Sequence, residues 1–425
     1  MKLFRLDAML APLAAFALTA FAGAATSNAA ETYRWVQFVP AGVEARVVTD
    51  AATCPTARID GADVAMAERS APGPGYPVRG CAVAIPSGAK ALAVDGVPLT
   101  LPSANPQKIV VLGDTGCRMK GKKVQACNDV NAWPFRLVAE VIAAMKPDLV
   151  IHVGDYHYRE TACPDGNLGC AGSPYGDNWA VWRADFFGPA ENLLRTVPWM
   201  PIRGNHEECN RGGKGWSRTL EAYAFNAAAG CNTAGEPFVV TLPGLTLGVL
   251  DVSTAEEEKI NPQQAATFRA QMQALAPRLV GPSWLLMHRP AWSVEEIEKG
   301  QTVGDNRTLA AAFGDGALPS NVGLMLSGHH HTFQVFNYAS DLPTQVISGH
   351  GGDYLDDGAP INPAGFVVNG VTVKSGINQP KAFGFSMFQR GANSEWSLTN
   401  HDAHGKIVAS CSVKHRSVDC VPVGG

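Results

Sequence analysis

Past its first thirty residues this chain has no apolar run long enough to cross a bilayer, no CxxC pair, no internal repeat and no low-complexity tract. The first absence argues against a polytopic helical membrane protein. The second removes the usual spacing of a thiolate zinc site. The last two set aside solenoids and compositionally biased tails. A basic surplus is missing too: 34 Lys and Arg stand against 38 Asp and Glu, a formal charge of -4. Nucleic-acid scaffolds concentrate basic charge on one surface, so the mild acidity argues against that role. Small charged substrates stay open, because local fields matter more than net charge.

What is present begins with a leader. Lys2 and Arg5 precede an apolar run from Ala8 to about Ala25, and Ser27, Ala29 and Ala30 offer a small-residue cut. That is the layout of a secretory signal peptide over residues 1–30; an uncleaved membrane anchor is the competing reading. Cleavage predicts a soluble protein, secreted or periplasmic, of about 395 residues and charge about -5. Such a length makes one large domain or two and buries a full core without cross-links.

All ten cysteines follow the leader, an even number that in an exported chain reads as disulfides. They fall into sequence-neighbouring couples, and proximity predicts Cys54–Cys81, Cys117–Cys127, Cys163–Cys170, Cys209–Cys231 and Cys411–Cys420. A thiolate metal site is the alternative.

Residues 31–104 carry short β-prone pieces, Arg34–Val39, Ala45–Val48 and Cys81–Ile85, separated by turns such as Ala71-Pro-Gly-Pro-Gly-Tyr-Pro77. They predict a small all-β domain, linked by Ser103-Ala-Asn-Pro106 to a larger domain over 105–425. There the texture alternates. Strands are expected at 108–112, 149–153, 245–251, 283–287, 322–327 and 344–348, with helices near 132–145, 179–194 and 262–275. Alternation of this kind predicts an α/β architecture with buried strands; β-rich texture returns after Phe383.

These apolar strands run directly into polar, metal-capable residues. Ile109-Val-Val-Leu112 leads to Gly113-Asp114-Thr115-Gly116, and Leu149-Val-Ile-His-Val153 leads to Gly154-Asp155-Tyr-His-Tyr158. Trp199-Met-Pro-Ile202 precedes Gly204-Asn205-His206-Glu207, Trp284-Leu-Leu-Met287 ends in His288, and Leu324-Met-Leu-Ser327 ends in Gly328-His329-His330-His331. Ligands of open α/β sheets collect beyond the carboxyl ends of strands. Singly each piece has a plainer explanation: Asp114 as a turn residue, His288 as a core histidine, the histidine run as a surface loop. Together they supply two Asp, one Tyr, one Asn and three His in one order.

That order closely resembles the metallophosphoesterase superfamily and, within it, the purple acid phosphatases, whose signature runs D-x-G, G-D-x-x-Y, G-N-H-E/D, V-x-x-H and G-H-x-H. The one departure inside these motifs is Leu285 for the valine. Most relatives carry D-x-H; here Gly116 stands at the histidine position and Tyr158 offers the compensating ligand. Tyr158 as a packing residue with a satisfied hydroxyl is the alternative. The resemblance covers residues 113–331 and implies a four-layer fold, two β-sheets flanked by helices, preceded by the small all-β domain.

It also implies a site. Asp114, Asp155, Tyr158 and His331 would hold a first metal, Fe(III), and Asp155 would bridge to a divalent metal (Zn, Mn or Fe) held by Asn205, His288 and His329. Oxygen ligands suit trivalent iron, imidazole and amide the divalent ion. A hydroxide on the metals would attack phosphorus in line. His206 is the expected acid or transition-state stabiliser, with orientation of a ligand as its alternative role. His350, in Ser348-Gly-His-Gly-Gly352, is a candidate outer active-site residue. Glu207 is expected to orient neighbours, Arg289 to form a salt bridge, and His330, His157 and His152 to be structural. The acidic stretch after Arg289 replaces histidines that plant members use for phosphate, and reads as a solvated helix face.

The expected function is an exported phosphomonoesterase acting on a small phosphorylated substrate. A phosphodiesterase or nucleotidase on the same metals is the second reading, and a non-catalytic metal-stabilised binding protein the third.

Overall fold

The computed structural model describes residues 30–298, 301–303, 306–314, 316–356, 361–379, 381–393 and 395–423, and Glu31–Gly425 is one compact unit. The leader expected at 1–30 lies, but for Ala30, outside the described residues.

The continuous apolar runs become strands buried on both faces, where a period of two sorts the side chains. In Lys108–Leu112, Ile109 and Val111 enter one apolar cluster while Val110 and Leu112 enter another. Leu149 and Ile151 follow the first pair, Val150 the second. In Ser283–Leu286, Trp284 and Leu286 join Ile109 and Ile151, whereas Leu285 faces away. The shared cluster is therefore the filling between two sheets. The other two clusters lie under helices: Val138 and Ile142 of helix Phe135–Met145 on one side, Phe268, Met272 and Phe313 of helices Pro262–Leu275 and Arg307–Phe313 on the other. The result is the expected four-layer sandwich.

Among the described residues the two large sheets have eleven and eight strands. At the centre of the first, Lys108–Leu112, Leu149–His152 and Trp199–Pro201 run parallel. In the second, Leu245–Val249, Ser283–Leu286, Val322–Ser327 and Thr344–Ser348 do so. All seven carboxyl ends carry loops, and five of these loops hold the motifs. Residues 31–104 contain strands only, as expected, and the first of them, Thr32–Val39, extends the eleven-stranded sheet by pairing in parallel with Trp199–Pro201 at Gln37↔Trp199. All five cysteine couples are joined as proximity predicted.

Two local expectations differ. The helix expected over 179–194 is broken into Trp179–Trp182, a π-turn at Arg183–Phe187 and Glu191–Thr196. Pro189 has no N–H to continue the ladder, and Gly188 donates instead to Arg183 O at 2.8 Å. The stretch after Arg289 is not a helix. Trp292 and Val294 are buried in the helix-covered core, and Glu296–Glu298 pairs as a strand with Gln301–Val303.

Candidate metal centre

The five motif loops meet at one point because they leave neighbouring strands at the same edge. Three residues there, Asp114, Asp155 and His329, have φ of 56°, 60° and 74°. Non-glycine residues in that region cost on the order of 1–3 kcal/mol each, a cost that proteins concentrate at functional sites. Glycine is required where backbones meet these side chains: a Cβ on Gly204 would collide with the Asp155 carboxylate. At Gly116 a Cβ would lie 2.9 Å from the Tyr158 ring. The space a histidine would need after D-x is filled by the tyrosine, which is the physical content of the coupled Gly116 and Tyr158 change.

The seven predicted ligands converge. The Tyr158 Oη lies 3.0 Å from Asp114 Oδ1, 2.9 Å from Asp155 Oδ2 and 3.0 Å from His331 Nε2. On the other side His288 Nε2 lies 3.2 Å from Asp155 Oδ2 and 2.9 Å from Asn205 Oδ1, and His329 Nδ1 lies 2.8 Å from the same amide oxygen. Asp155 Oδ2 thus touches both groups, the position a bridging carboxylate needs. Ligand atoms of Asp155, His288 and His329 all lie within 4.8 Å of one another.

The outward nitrogens test whether this cluster fits metal ions. His288 Nδ1 donates to Val153 O at 2.7 Å, His329 Nε2 to Glu257 Oε1 at 2.6 Å, and His331 Nδ1 to Tyr354 O at 2.6 Å. With one proton held outside, each ring can turn a lone pair inward once its inner nitrogen is deprotonated, the tautomer metal ligation requires. The donor set therefore fits two ions.

Without metal, the pocket holds its protons by mutual attraction. Burial works against charge on His288, but Asp155 beside it raises its pKa to about 9. For His331, burial is likewise outweighed by Asp353 and Asp356, giving about 10. Burial pushes the Asp155 carboxyl up, and His288 and His206 more than reverse this, leaving it well below the usual range. The Tyr158 phenol is pushed far up by burial and by Asp114 and Asp155. Metal binding here displaces protons from imidazole and phenol.

His206 packs against this centre, its ring centroid 3.8 Å from that of Tyr158 and its Nε2 3.9 Å from Asp155 Oδ2. Its Nδ1 sits 2.8 Å from Glu160 Oε1. Burial drops its pKa to about 3. The structure does not bring His350 into the cluster. Its Nε2 meets Asn400 Oδ1 at 2.9 Å, its Nδ1 is buried without a partner, and burial lowers its pKa to about 4. Glu207 orients the site: its carboxylate accepts from Asp155 N at 3.0 Å, Tyr156 N at 2.8 Å, His157 N at 3.1 Å and Gly204 N at 3.0 Å, tying two ligand loops together. Arg289 pairs with Glu257 at 2.5 Å, as a salt-bridging residue should. His330 turns away to Ser293, His152 to Thr115 and His157 to Gly176 O.

Three residues of the site escape sequence reasoning. Glu257 holds His329 from the loop after Leu245–Val249, with no motif around it. Asp353, fully buried, lies 3.4 Å from His331 Nε2 and grips Arg118. Asp185, inside the π-turn, accepts from Cys117 N at 3.2 Å and Tyr158 N at 2.9 Å and so locks the Tyr158 loop. Of the three only Asp353 had a signal, another Gly-Asp after a buried strand at Gly352-Asp353.

Fold and site together define a metallophosphoesterase, a metal-dependent hydrolase of phosphoric esters. The family model for the calcineurin-like phosphoesterases matches residues 107–333, and the chain belongs to that family. Two solved structures share the fold. One is the purple acid phosphatase PPD1 from yellow lupin (Lupinus luteus) seeds, at TM-score 0.55 and 13% identity over 89% of this chain and 72% of that one. The other is PhoD, at TM-score 0.55 and 11% identity over 93% and 92%. No curated protein matches by sequence.

Proposed function

We propose that this protein is an exported phosphomonoesterase of the purple acid phosphatase type. The observation that carries the reading is the Tyr158 hydroxyl, seated within 3.0 Å of two carboxylates and an imidazole where Gly116 leaves room for it. Asp114, Asp155, Tyr158 and His331 would hold Fe(III), and Asp155, Asn205, His288 and His329 a divalent ion, Zn, Mn or Fe. Such a pair supplies an activated water and neutralises phosphoryl charge.

The chain's own groups do the rest. Asp155 keeps the two ligand sets in register, and Glu207 fixes both loops that carry them. His206, beside Asp155 and Tyr158, hydrogen-bonds a phosphoryl oxygen and protonates the departing alkoxide. Burial favours the neutral ring, and a phosphate dianion beside it favours the protonated form that this step needs. The five disulfides support a secreted or periplasmic location.

Hydrolysis of a chromogenic monoester and a diester by protein loaded with iron plus zinc or manganese tests the reading. Faster monoester turnover, lost in Asp155→Asn, is the expected result. Preference for the diester moves the assignment to a phosphodiesterase, and two bound metals without turnover of either ester overturns it.

A further inference from the structure

The run Arg118-Met-Lys-Gly-Lys-Lys123 follows the first metal motif directly. It folds into a hairpin, Met119–Lys120 against Lys123–Val124, whose base is closed by the Cys117–Cys127 disulfide. The hairpin runs alongside the Tyr158 segment: Met119 N donates to Tyr158 O and Glu160 N to Met119 O, each at 3.0 Å. Lys120, Lys122 and Lys123 are all exposed on it. Lys120 Nζ approaches Glu160 Oε2 at 3.5 Å, and the other oxygen of Glu160 holds His206 and Arg211. The lysines and the reacting centre are therefore neighbours, not opposite poles of the molecule.

Arg118 is the built part of this surface. Its guanidinium lies 4.9 Å from the Tyr158 ring centroid, and its Nε meets Asp353 Oδ2 at 2.9 Å and Oδ1 at 3.2 Å. Nη2 is spent on the same carboxylate. Asp353 is wholly buried, so the fork is held rigidly, while the Arg118 side chain keeps 16 % of its surface open. Nη1 has no protein acceptor among the described residues. A fixed guanidinium with an unspent edge beside a phosphoryl-binding centre is a site for an oxyanion. The other two arginines at the centre are engaged differently. Arg211 uses Nη1 on Asn205 O at 3.3 Å, and Arg289 spends Nε on Ser253 O and Nη1 and Nη2 on Glu257 and Glu208.

We infer that Arg118 and the lysine hairpin form a second anion subsite, so that the preferred substrate is a small phosphoester carrying a further phosphoryl or carboxylate group. The inference rests on the phosphoesterase reading of the site and names its substrate class. Among the described residues, Glu160 and Asp353 are the carboxylates that pair with Lys120 and Arg118, and Glu160 is shared with Arg211. Four cationic side chains thus stand within six residues of a chain that as a whole is acidic.

Binding separates this inference from the hydrolase reading, because it is read without turnover. Calorimetry on the metal-loaded protein compares propane-1,3-diylbisphosphonate with propylphosphonate, two non-hydrolysable probes that differ by one distant anion. The bisphosphonate should bind about tenfold tighter, the effect of one charge-assisted hydrogen bond. Arg118→Gln and the triple variant Lys120→Gln, Lys122→Gln, Lys123→Gln should each shrink that ratio towards one, the second without touching the buried Asp353 network. A ratio that survives both variants, or equal binding by the unaltered protein, overturns the subsite even if esters are hydrolysed. A ratio that behaves as expected in a protein without turnover overturns the hydrolase reading alone.

Discussion

The two halves of the centre are built from different chemistry. On one side Asp114, Tyr158 and His331 are packed among Asp353, Asp356 and Arg118, a buried, oxygen-rich, ion-paired environment. On the other, Asn205, His288 and His329 offer an amide oxygen and two imidazoles, and the His329 side chain is 17 % exposed beside Glu257. Hard anionic ligands hold a trivalent ion tightly; neutral ligands at the mouth suit a divalent ion that exchanges. The asymmetry teaches that one cluster presents two different donor sets, the arrangement the proposed trivalent and divalent pair would use, and that Asp155 is the residue the halves share.

The largest expected effect breaks the comparison altogether. Asp155→Asn removes the bridging charge, and turnover should fall on the order of 1,000-fold, several kcal/mol of lost charge stabilisation. Metal analysis should show loss at both positions. Full occupancy of one position with the other empty would make Asp155 a ligand of a single half.

Next in size is a change confined to the oxygen-rich half. A phenolate on iron(III) absorbs visible light, so iron-loaded protein should be coloured and Tyr158→Phe should bleach it, with zinc content unchanged. Colourless, iron-loaded, active protein removes Tyr158 from the ligand set. The mirror experiment lies in the other half. Glu257→Gln weakens the carboxylate behind His329, and divalent-metal affinity should drop about 10–100-fold. Iron retention and colour should not change with it; titration of the apo protein with zinc reads the difference.

Much of this asymmetry was legible in the sequence. Metal ligands sit on strand ends, and a buried strand followed by glycine and a polar residue is a local pattern that one chain displays. The paired change at Gly116 and Tyr158 was visible for the same reason, and the structure adds its cause, the 2.9 Å approach of the ring to a Cβ at 116. The disulfides were legible because partners lie near in sequence. What supports the ligands was not. Glu257 and Asp185 act from loops and a π-turn far along the chain, and a lone acidic residue carries no sign of the histidine or backbone amide it will meet. The break of the 179–194 helix was written in Pro189, but the pattern of Trp179, Trp182 and Phe186 spoke for a continuous apolar face. The participation of Thr32–Val39 in the main sheet is a long-range pairing that no window of sequence contains.

The smallest effect concerns the wall behind the oxygen-rich half. The Ser348–Asp353 loop lies under Asp114, with Gly351 N donating to Gly113 O and Asp353 N to Asp114 O, and His350 is sealed inside it. Folding lowers the His350 pKa to about 4, against roughly 6.5 in an unfolded chain. The unfolded state therefore binds a proton between those values that the folded state refuses. The stability this group allows is complete above about pH 6.5 and is lost as pH falls towards 4, by up to about 3 kcal/mol for a fully buried ring. His350→Gln keeps a polar side chain for Asn400 and cannot titrate. Its melting temperature should lie below that of the parent protein near pH 7 and approach it near pH 4.5. A constant gap across that range would mean that His350 titrates normally, with the loop open to water. A normal pH profile of stability in the variant, joined to a loss of turnover at every pH, would return His350 to the active site and make the oxygen-rich half larger than its four ligands.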